Sequence, residues 1–206
     1  MDNYGPVQNM TAFFMQYCRK FELARFGLVC LLLISCASPA WADASKLGIR
    51  NAELVQSNDS YALNADFDVV FSKEVEAALN KGVQLEFLVE FQIAIPSSWW
   101  FDDEVKSAST HVTLGYHALS RQYLVNRNNH QYAFATLQEA KDELSQLRNW
   151  RVVEKSLLTK DEEYYAALRI RLDQSRLPKP LQVDALGSKD WDMLSERYRW
   201  TPALAF

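Results

Sequence analysis

Carboxylates, imidazoles and indoles are the side chains here with most chemical scope, and their spacing decides what they can do. Glu86 and Glu90 fall on one face of the alternating run Leu85–Ile95. Two carboxylates on one face suggest glycosidic bond cleavage, in which one acid protonates and the other attacks or activates water. A strand advances about 3.3 Å per residue, so their backbones lie roughly 13 Å apart, beyond either glycosidase spacing unless the side chains lean together. Outward-facing, solubilising residues are the simpler reading. Asp102, Asp103 and Glu104 directly follow Trp99, Trp100 and Phe101. Three adjacent acids could hold Ca²⁺, but they lack the spaced oxygen ligands and the glycine of a calcium loop, so a solvated turn is expected. His111 and His117 share a strand face, yet six residues separate them by roughly 20 Å, too far to ligate one ion without His130 or remote acids.

Nucleophilic and phosphate chemistry have no signature. The chain contains no G-x-S-x-G, H-E-x-x-H or G-x-x-x-x-G-K-[ST] pattern. After residue 43 the glycines are Gly48, Gly82, Gly115 and Gly187, too scattered to form a phosphate-cradling loop. No catalytic residue, cofactor or metal ligand is assigned. The feature with most binding potential is Trp99-Trp100-Phe101, because adjacent aromatics at a strand end cannot all turn to one side and aromatic rings anchor partners and sugars. Pro178 and Pro180 form a second candidate contact, a proline-bracketed segment of the kind that partner grooves recognise. A wrapping strand that closes one side of the domain is the reading preferred for it.

The N-terminus bears on location. Arg25 precedes the 11-residue apolar run from Phe26 to Cys36, and Ser38-Pro39-Ala40-Trp41-Ala42-Asp43 ends it with small residues two apart. This reads as a secretory signal peptide, residues 1–42, cut between Ala42 and Asp43. A bilayer-spanning helix needs about 20 residues. Leu33-Ile34-Ser35-Cys36 also fits lipidation at Cys36, and an uncleaved anchor is the third option. Residues 43–206 are then expected to form one periplasmic domain, touching the membrane only if the leader is kept or lipidated. Cys18, Cys30 and Cys36 all precede the cut, so that domain has no cysteine and relies on its core rather than on cross-links. Its net charge becomes −5, against −4 for the whole chain. Such mild acidity disfavours nucleic acid as partner.

Periodicity supplies the architecture. Alternation runs through Tyr61–Phe71, Leu85–Ile95, Val112–Tyr116, Tyr123–Val125 and Tyr164–Leu172, with polar residues on the other face. Pro96 stops the second of these, and Asn126–His130 is turn-prone, predicting a hairpin. One helix is predicted from Ser72 to about Lys81, closed by Gly82. A second starts at the capping box Thr136–Glu139, with Leu137, Ala140, Leu144 and Leu147 on one face. The expected fold is mainly β: an antiparallel β-sandwich of six to seven strands with two short helical insertions. A partly open barrel is the alternative.

Three blocks also carry a resemblance: Tyr116-His117-Ala118-Leu119-Ser120-Arg121-Gln122-Tyr123, then Phe134-Ala135-Thr136-Leu137-Gln138-Glu139-Ala140, then Leu172-Asp173-Gln174-Ser175-Arg176-Leu177-Pro178-Lys179-Pro180-Leu181-Gln182-Val183 followed by Trp191. They resemble the bacterial family called domain of unknown function 4390. The resemblance implies an exported Gram-negative protein, sometimes labelled a proline-rich signal peptide protein, encoded near a membrane sensor kinase. Relatives often place basic residues before the aromatic cluster, where Ser97 and Ser98 stand here. The resemblance implies no activity and transfers no catalytic residue. Two functions are weighed: a non-catalytic extracytoplasmic module binding an envelope protein or small ligand, and a hydrolase or carbohydrate-active enzyme using Asp102, Glu86 or Glu90.

Overall fold

The alternating segments fold as strands. In the computed structural model, which describes residues 44–97 and 102–205, the chain runs β1 (Lys46–Ser57), β2 (Ser60–Val70), α1 (Lys73–Asn80), β3 (Leu85–Ile95), β4 (Asp103–His117), β5 (Gln122–Arg127), β6 (His130–Phe134) and α2 (Leu137–Leu144). It continues through β7 (Gln146–Glu154), β8 (Tyr165–Leu172), α3 (Lys179–Ala185) and β9 (Tyr198–Trp200). Two antiparallel sheets result, ordered β1-β2-β7 and β6-β5-β4-β3-β8-β9, with no closed barrel. The sandwich expected from alternation is the fold. The described residues hold nine strands and three helices rather than six or seven and two.

Burial explains the two layers. Tyr61, Leu63, Ala65 and Phe67 of β2 and Leu85, Phe87, Val89, Phe91 and Ile93 of β3 are all essentially inaccessible to solvent and belong to one core. Each large apolar side chain so buried contributes about 1.5–3 kcal/mol. Their odd numbering sends the even-numbered partners outward, which fixes what the other face of each sheet can display. Phe71 stacks on Phe87 with ring centroids 6.1 Å apart, tying the end of β2 to β3.

The helices follow their caps. Ser72 Oγ accepts the Val75 N–H, Val75 and Leu79 are buried, and Gly82 ends the turn at φ 91°. The capping box of α2 is complete, Thr136 accepting from the Glu139 N–H while the Glu139 carboxylate receives the Thr136 N–H. Leu147 is a correction, because it lies in β7 opposite Ala65 rather than on the helix. The chain leaves α2 at Ser145, whose carbonyl accepts the Phe67 N–H at 2.8 Å and draws the following residues into the sheet. The proline segment is a second correction: it is no strand. Pro178 stands at the N-cap of α3 and Pro180 in its first turn, where a missing N–H costs no hydrogen bond.

Candidate functional site

The even-numbered residues of β3 project from the outer face of the six-stranded sheet, beside β4 and β8. Register sets their neighbours: Glu90 lies between Ser109 and Arg169, Leu88 between His111 and Arg171, and Gln92 between Ser107 and Ala167. Arg169 places both Nε and Nη2 on Glu90 Oε2, at 3.0 and 2.8 Å. Arg171 Nε stands 3.7 Å from the same oxygen. Glu86 faces His111 Nδ1 at 2.8 Å and Arg176 Nε at 3.8 Å. The two carboxylates therefore lie on one face, as expected, but each has a guanidinium beside it, Arg169 and Arg171 at Glu90 and Arg176 at Glu86. They are not bare solubilising groups.

Gln92 links charges of both signs. Its Nε2 donates to Glu104 Oε2 at 2.8 Å, and its Oε1 accepts from Arg197. Opposite, β4 offers only the short Ser107 and Ser109, both exposed. The drop in side-chain height leaves a depression of about 370 Å³ among Gln92, Glu104, Ser107, Ser109, Arg169 and Arg197. A wider hollow of about 840 Å³ lies beside the β1–β2 turn and the end of β7, around Lys106, Arg151 and Lys155. There Lys155 sits over the Tyr61 ring instead of joining a polar network.

Asp102 fastens the β3–β4 connection. Its Oδ1 accepts the Ser97 N–H at 3.2 Å, and its Oδ2 accepts the Tyr165 hydroxyl at 2.6 Å and a nitrogen of Arg199 at 3.3 Å. The Arg199 guanidinium also lies 3.9 Å from the Tyr165 ring centroid. The Tyr165 hydrogen bond, seconded by the Ser97 N–H, holds the Asp102 carboxyl below the ordinary aspartate value. Burial, followed by that same bond, raises the Tyr165 phenol above its own. Asp102 is exposed, as a solvated turn residue would be, and it also works as a fastening. Asp103, which opens β4, is exposed.

Trp99, Trp100 and Phe101, like Cys36, Ala42 and Asp43, lie outside the described residues. Pro178 and Pro180 are exposed at the start of α3. His117 Nδ1 pairs with the Ser120 hydroxyl at 2.9 Å, whereas His111 belongs to Glu86. His130 faces Arg127 across the β5–β6 turn. Among the described residues no three His, Cys, Asp or Glu gather as a metal site. Sequence reasoning missed Gln92, Ser107, Ser109 and Arg197. Arg169 and Arg171 are among the polar residues on the other face of the alternating run Tyr164–Leu172, and nothing in the chain announces that β8 lies beside β3.

The site spans β3, β4, β8 and the residue before β9, so a family match bearing on it must cover nearly all the described chain. A family model described as Domain of unknown function (DUF4390) matches residues 44–201. The chain belongs to that family. The DUF4390 match takes in both sheets and every residue around the depression. No curated protein and no solved structure matches the chain. The family description assigns no activity, so it lends none of these residues a role.

Proposed function

We propose that this DUF4390 member is a non-catalytic binding module that works outside the cytoplasm, captures an envelope protein or small ligand, and assists envelope sensing. One observation carries the non-catalytic part. Of the acids a hydrolase would use, Glu86 is engaged by the His111 imidazole and Arg176, Glu90 by Arg169, and Asp102 by the Tyr165 phenol and Arg199. A general acid–base pair needs carboxylates free to exchange protons with substrate. The export part rests on Arg25, the short apolar run after it, and the small residues up to Ala42. The role beside a membrane kinase rests on the family resemblance alone.

In this reading Trp99, Trp100 and Phe101 supply contact area for the partner, since buried aromatics dominate binding surfaces. Changing Trp100 and Phe101 together to Ala should abolish capture of the partner from envelope extracts. Circular dichroism and thermal unfolding should show the variant folded. Undiminished capture by that variant overturns the aromatic contact. Turnover of a glycoside by the wild-type chain, lost on changing Glu86 or Glu90 to Gln, overturns the non-catalytic reading.

A further inference from the structure

The depression on the outer sheet face presents a set of polar groups whose demands only certain ligands meet. Arg197 is a donor without a charged partner: its hydrogen bond goes to the neutral Gln92 amide, and no carboxylate lies at ion-pair distance among the described residues. Arg197 immediately precedes β9, whose pairing with β8 ends at Leu168↔Tyr198, and it lines the depression together with Arg169. Arg169 is paired with Glu90, so Arg197 is the guanidinium lining the depression that has no ion pair among the described residues.

The other walls ask for something different. Glu90 and Glu104 only accept hydrogen bonds, and they repel a bare anion. The Ser107 and Ser109 hydroxyls face solvent and both donate and accept. Gln92 also does both. A neutral sugar would leave Arg197 without its counter-charge, and a fully ionised phosphate would bring the two glutamates no donor. We propose that this depression binds an acidic saccharide, its carboxylate on Arg197 and its ring hydroxyls on Gln92, Glu104, Ser107 and Ser109. The volume of about 370 Å³ falls within the roughly 300–1,000 Å³ of small-ligand sites. The inference rests on the binding-module reading above but not on its aromatic contact, so it names a ligand class for a different face.

The test uses the full chain with tri-galacturonate as probe, a neutral maltotriose control and an inorganic phosphate control, followed by calorimetry and amide NMR shifts. Tri-galacturonate should bind saturably, moving the amides of Gln92, Ser107, Ser109 and Arg197, and both controls should bind more weakly. Arg197→Gln should weaken it about tenfold or more, the scale of one lost hydrogen bond to a charged group, and Arg197→Lys should restore part of the affinity. Absence of saturable shifts, equal binding of either control, or wild-type affinity in a folded Arg197→Gln chain overturns the proposal. Loss of saccharide binding with partner capture intact would sink this inference alone. Cleavage of the probe, still dependent on Arg197, would keep the site and sink the non-catalytic reading.

Discussion

Asp102 shows how one residue changes meaning between sequence and structure. Beside Asp103 and Glu104 it reads as part of an acidic turn, yet its oxygens are divided among Ser97, Tyr165 and Arg199. A carboxyl lowered in the folded state stabilises the fold above its unfolded value, and that contribution is lost as pH falls through the lowered value. Removing the phenolic donor with Tyr165→Phe should therefore raise the Asp102 titration toward the ordinary aspartate value. Asp173, whose carboxyl is lowered first by the Ser175 hydroxyl, should stay where it is. Carbon-13 carboxyl shifts followed through an acid titration separate the two, and an unmoved Asp102 would refute the assignment. At this scale the chemistry was only half legible. Residue types were readable, but the partners of Glu90, Gln92 and Asp102 come from other strands.

Elements were legible where the pattern was uninterrupted. In Leu85–Ile95 every odd-numbered residue is apolar, and the run is β3 to the residue. The Asn128-Asn129 turn is also as read, both residues taking the left-handed conformation, φ 49° and 65°, that a two-residue hairpin turn needs. The unread elements have physical excuses. Strand β1 carries a bulge between Ile49 and Asn51, and β7 pairs through register shifts around Asn149, which has φ 55°. An inserted residue reverses the inward parity, so the two-residue period disappears. Strand β9 has three residues, too few to show any period. Helix α3 hid behind prolines whose restraint suits a first helical turn as well as an extended segment. The cap of α2 is the local feature with the clearest energetic reading. Thr136→Ala should lower stability by about 1 kcal/mol in denaturant titration, and a change indistinguishable from zero would mean the cap is redundant.

Across the molecule, the C-terminal segment is bound into the rest of the fold. Trp191 is fully buried and donates its indole N–H to Glu74 of α1 at 2.7 Å. Tyr61 donates to the Ala205 carbonyl at 2.5 Å. Trp191→Ala should cost about 3–5 kcal/mol, read as a lower urea midpoint with little change in slope. A loss below 1 kcal/mol would mean the segment merely lies against the body. The absence of glycine-rich loops and of nucleophile motifs was evident from composition and spacing. The outer-face depression was not, because its walls come from β3, β4, β8 and the residue before β9.

Strand pairing also dictates a timetable. In the smaller sheet β2 takes β7 as its second neighbour, Asp66 meeting Gln146, and the larger sheet receives β9 beside β8 after α3 has intervened. Most of the polypeptide must therefore exist before either layer can be completed. Such nonlocal closure is slow, on the order of milliseconds to seconds for β-rich domains. Meanwhile β2 has a bare edge open to stray pairing. A newly made chain would profit from a holding chaperone until its last third arrives.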